Sequence, residues 1–138
     1  MNSNTCRNTS CQSYQKWAVG NDIREILLAN SALTEHVGTD IYPLVAPEGT
    51  EGSFILYQRD KYSKSYTKLG VFEDDCHLII TAVADDYDIA IFLASQIDLT
   101  LTGRHTKDTG EVITVNLIDS SEAFDDNKYI ETLLFEIK

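Results

Sequence analysis

Apolar residues recur along this chain in two rhythms, and each change of rhythm marks a new element. Ile23, Ile26, Leu27 and Leu33 fall at helical spacing, which predicts an amphipathic N-terminal helical region. Gly20 and Asn21 mark its start, with Asn21 able to cap the first turn, and Gly38 marks its end. Asn30-Ser31 divides it, so the second helix runs through Leu33 to Val37. A short extended piece at Ile41-Tyr42 stops at Pro43, which has no N–H for a ladder. After a loop over Pro47 to Gly52, the period shortens to two. Phe54 to Arg59 and Phe72 to Ala84 read as strands, joined by a polar connection over 60–71. In the second strand Cys76, Leu78, Ile80 and Ala82 share one face, and His77, Ile79, Thr81 and Val83 the other.

Helical spacing returns after Asp85-Asp86. Ala90, Leu93, Ala94, Ile97 and Leu101 form a stripe closed by Gly103, the clearest helix of the chain. A turn-like stretch at 103–110 and two further strands follow, Glu111 to Asp119 and Tyr129 to Ile137. The acidic segment between them, SSEAFDDN, reads as a wide hairpin loop. Only one helix lies between strands. That order favours an α+β fold over a doubly wound one. We expect an antiparallel or mixed sheet of four to five strands, with one long helix and an N-terminal helical pair packed on it. Residues 1–20 read as a flexible extension, in which Trp17 has the apolar area to dock, and 21–138 as one domain.

Composition narrows the function. With 138 residues and 43% hydrophobic content the chain can bury a core. Its longest apolar stretches are too short for a membrane span, and the N-terminus lacks an apolar signal region, so a soluble intracellular protein is expected. The net charge of −11 opposes nucleic-acid binding. Residues 1–20 hold Arg7 and Lys16 and no acid, which leaves −13 on the body. Against that acidity stands one basic, tyrosine-containing strip, Arg59 to Lys68. It reads either as a solvated hairpin loop or as an arm reaching an acidic neighbour. In the second reading Arg59, Lys61, Lys64 and Lys68 supply charge, and Tyr57, Tyr62 and Tyr66 supply anchors.

Candidate chemistry changes little. Cys6, Cys11 and Cys76 make an odd set with no C-x-x-C pair, which argues against a disulfide framework or a zinc site. Cys6 and Cys11 could bridge each other. Cys76 reads as core. His36, His77 and His105 fall in three different elements and show no metal-ligand spacing. His36 suits a helix end, His77 a strand and His105 a solvated loop. The pairs Asp74-Asp75, Asp85-Asp86 and Asp125-Asp126 read as solvated turns and helix starts. No nucleophile elbow or phosphate-binding loop is present. We therefore expect no enzyme, no catalytic or metal residues and no cofactor.

From Asp22 onward the chain resembles the phage tail-completion or tail-terminator family. The likeness lies in DIREILLANSALTEHVGTDIYP, in the PEG loop with the SFILYQR strand, and in LIITAVADDYDIAIFLASQI. It extends through the final strand pair, and thus over 22–138. The first 20 residues have no counterpart in the family, and Ser53 stands where a proline often precedes the aromatic-Ile strand. The resemblance implies an antiparallel sheet with helices packed on it. It also implies a six-membered ring on the end of the tail tube, which stops polymerisation and meets the head connector. Implied partners are further copies of the chain, tail-tube protein and head-connector protein, in the host cytoplasm during assembly and then in the virion. Two alternatives remain: another small protein-binding or head–tail joining module, and a small enzyme built from an acidic pair and a histidine.

Overall fold

The computed structural model describes residues 17–66, 70, 72–107 and 110–138; Cys6, Cys11, Lys68 and most of the 1–20 extension lie outside them. Elements follow in the order α1 (Val19–Leu28), α2 (Ser31–Val37), β1 (Ile41–Pro43), β2 (Phe54–Tyr66), β3 (Phe72–Ala84), α3 (Tyr87–Leu101), β4 (Gly103–Thr106), β5 (Val112–Asp125) and β6 (Lys128–Ile137). The strands form one mixed sheet of six, ordered β1-β2-β3-β6-β5-β4. Only the β1–β2 pair is parallel.

The expected α+β class holds, but the sheet is larger than four to five strands. Three stretches that read as loops are ladder. β2 continues through the basic strip to Tyr66. β5 continues through SSEAFD to Asp125. β4 occupies GRHT at the start of the turn-like stretch. The hairpin between β5 and β6 is therefore tight. Asp126 and Asn127 both have positive φ, 51° and 62°, the arrangement of a two-residue turn matched to strand twist.

Helix ends follow local chemistry with one correction. α1 starts at Val19 after Ala18, with no side-chain cap, so Asn21 lies inside the helix and does not cap it. Asn30 caps α2, its Oδ1 accepting the Ala32 N–H at 2.8 Å. Its Nδ2 also donates to Thr100 Oγ1 on α3 at 2.5 Å, tying the helical pair to the long helix. Asp86 caps α3 by accepting from the Asp88 N–H at 3.0 Å.

All three helices lie on one face of the sheet. Ile23, Leu27 and Leu33 from the N-terminal pair meet Leu93, Ile97 and Leu101 from α3. Beneath them lie Ile55, Leu78, Ile80, Val115, Phe135 and Ile137. Cys76 belongs to this core, as expected. Burying each large aliphatic side chain contributes about 1.5–3 kcal/mol before ordering costs. Gly20 gives α1 a close crossing over β2, where a Cβ would lie 3.0 Å from the Tyr57 ring. The opposite sheet face carries Leu56, Ile79, Thr81, Thr132 and Leu134, partly exposed and covered by no helix among the described residues.

Candidate assembly surface

The basic strip is a strand, not a loop. From Lys61 to Tyr66 it pairs with the acidic start of β3: Lys61 opposes His77, Ser63 opposes Asp75, and Lys64 opposes Asp74. A bulge between Arg59 and Lys61 re-aims the strand there. Beyond it the β2 side chains are exposed except for half-buried Tyr62. The result is a two-stranded ribbon extending past the end of β6, whose last partner on β3 is Cys76.

Two clusters organise this ribbon. On the helix side the Arg59 guanidinium lies 4.1 Å from the centre of the Trp17 ring. Arg59 Nη1 donates to the Trp17 carbonyl at 3.4 Å, and Tyr62 meets Trp17 edge to face at 5.7 Å. Trp17 thus docks on the strip while staying 56% exposed. Lys64 lies 5.9 Å above the Tyr62 ring, and Tyr66 is 72% exposed. On the open sheet face Lys61 Nζ lies 2.9 Å from Asp75 Oδ2, and His77 Nε2 lies 3.1 Å from Asp75 Oδ1. The Lys61 ammonium, the main partner, holds the Asp75 carboxyl below its usual range, and His77 adds to the effect. Part of the strip's charge is therefore matched inside the chain, by a register that only the folded sheet sets.

The structure brings His77 together with Asp75 and Glu136, whose ligand atoms lie within 4.8 Å of one another. Such a triad could hold a divalent cation. The donor set fits an ion-pair cluster better, since Lys61 already places positive charge on Asp75. The cluster sits on an open sheet face and lines none of the main grooves. One groove, of about 320 Å³, runs along Trp17, Gly20, Pro43, Leu44 and Tyr57. A second, of about 560 Å³, runs between α1 and β4. There Lys107 bonds Asp22 at 2.8 Å and Glu111 at 3.0 Å. His105 lies in β4, not in a solvated loop, and donates from Nε2 to the Leu101 carbonyl at 2.7 Å. His36 stacks edge to face on Phe92.

A third cluster had no signal in the sequence. Glu122 on β5 directly opposes Glu131 on β6. The Tyr87 hydroxyl donates to Glu122 at 3.0 Å. Burial, together with Glu122 beside it, pushes the Glu131 carboxyl up to about 7. Its Oε2 is buried with no hydrogen-bond partner among the described residues.

No family profile matches the chain, and no curated protein is similar enough to count as a relative. Among the described residues no helix is long and apolar enough to cross a membrane. Solved structures do share the fold, with 18 chains matching. One is a chain from the virion of a native gene transfer agent particle, with a TM-score of 0.67 over 83% of this chain and 89% of that one, at 16% identity. A second has a TM-score of 0.54 over 86% of this chain and 95% of that one, at 8% identity. At these identities the likeness is one of fold.

Proposed function

We propose that the chain is a structural component of a phage-like virion, acting by assembly rather than catalysis. The observation that supports this most is the fold shared along most of its length with a chain of a gene transfer agent virion. The finer reading is a tail-terminator ring, six copies on the end of the tail tube, halting its growth and meeting the head connector. The charge pattern agrees with it. Head-to-tail rings need two different, complementary surfaces on each subunit. Here a ribbon bearing Arg59, Lys61 and Lys64, with Lys68 following, projects from a body of opposite sign. Tyr62 and Tyr66 add contact area.

Another head–tail joining role is the second reading, since a fold shared with a virion chain does not by itself single out the tail end. Adding the purified chain to polymerising tail-tube protein separates the two. A terminator shortens the tubes and caps one end of each. A joining component located elsewhere leaves the length distribution unchanged.

A further inference from the structure

The β5 strand ends as an open edge. β4 pairs with it only from Val112 to Val115, so from Asn116 to Asp125 its outer side meets no strand among the described residues. The direction of its backbone groups follows from one pair. Thr114 and Lys138 exchange both backbone bonds, and alternation along β6 then turns Glu136, Leu134, Thr132 and Ile130 toward β5. Past the bulge at Leu117–Asp119, the β5 residues left pointing outward are Ser120, Glu122 and Phe124. The Ser120 N–H agrees, since it is taken up by the Asp119 side chain at 2.8 Å.

A long bare edge invites another strand. This one is selective about which. Asp119, Glu122 and Asp125 are exposed along it and no base lies between 112 and 127, so two β5 edges repel each other. Beside them Leu117, Ile118 and Phe124 are 37%, 48% and 59% exposed. The fitting occupant is extended, basic and partly aromatic. Within this chain that describes Arg59 to Lys64. β2 lies toward the opposite side of the sheet from β5, and its only strand neighbour on that side among the described residues, β1, ends opposite Tyr57. Charge matches on both faces. Lys61 lies on the open face, as do Asp119 and Asp125; Arg59 and Lys64 lie on the helix side, as does Glu122.

We propose that the outer edge of β5 receives the basic half of β2 from a second copy of this chain, so that the sheet continues from one subunit to the next. The inference rests on the ring reading and names the surface that reading lacks. The contact is heterologous and repeats around a closed assembly.

The test uses the full chain in low salt, with and without polymerised tail-tube protein, followed by sedimentation and electron microscopy. Asp119→Lys with Glu122→Lys reverses the edge; Lys61→Glu with Lys64→Glu reverses the ribbon. Each variant alone loses at least about tenfold in association. Their equimolar mixture assembles like wild type, because each then supplies what the other lacks. Ser120→Pro removes an outward N–H, together with its bond to the Asp119 side chain, without breaking a β5–β6 bond, and it too loses assembly while its melting temperature holds. Rings that form unchanged from the edge variant and from Ser120→Pro overturn this contact and leave the ring reading standing. A dimer strengthened by ribbon reversal overturns the choice of occupant. A wild-type chain that forms no ring under either condition overturns both.

Discussion

The guanidinium of Arg59 lies 4.1 Å from the centre of the Trp17 ring, joining the start of the first helix to the base of the basic ribbon. Trp17 is the only tryptophan in the chain, so its emission reports the surroundings of this one ring, Arg59 and Tyr62 among them. Arg59→Ala should shift the emission to longer wavelength and cost about 0.5–1 kcal/mol of stability. Unchanged emission would show that the stack does not persist in solution.

Phe135 is fully buried on β6, opposite Leu78 on β3 and Leu117 on β5. Phe135→Ala should cost about 3–5 kcal/mol, because the sheet cannot collapse around the lost ring. Denaturant unfolding with an unchanged m-value checks this. A loss under about 1 kcal/mol would mean that the ring is not central to the core.

Glu131 gives a pH dependence. Its folded carboxyl is raised to about 7, above its value in the unfolded chain, so the folded state holds the proton more tightly. The associated stability is fully present below the ordinary glutamate range and is lost as pH rises toward 7. Glu131→Gln should therefore stabilise the protein at pH 8, by roughly 1 kcal/mol or about 4 °C in Tm, allowing for solvent screening. At pH 5 the gain should nearly vanish. Equal gains at both values would rule out ionisation as the cause.

The turn at Asp126-Asn127 needs left-handed backbone at both positions. Asn127→Gly relieves that requirement at the second and should stabilise by about 0.5 kcal/mol. Asn127→Val should destabilise by more than that. Paired thermal melts of the two variants give the comparison.

The sequence was legible where one face is buried and opaque where none is. Leu93, Ile97 and Leu101 announce α3 by spacing, and Cys76 to Ala82 announce β3 by alternation. The outer half of β2 lies beyond the core, so Lys61, Ser63 and Lys64 are free to be polar and read as a loop. The same holds for Ser120 to Asp125 on β5. Asn21 looked like a cap because capping residues also occur inside helices, and α1 starts two residues earlier. The pairing of the basic strip with its own Asp75 depends on the β2–β3 register, as the approach of Glu122 to Glu131 depends on that of β5 and β6. Neither register is written in local sequence.

Electron cryomicroscopy of tail tubes polymerised with the purified chain tests the assembly claim most directly. The expected result is a six-fold ring on one end of each tube, with the β2 ribbon of every subunit against the β5 edge of the next. Uncapped tubes of unchanged length, with the chain left unbound in solution, would contradict it.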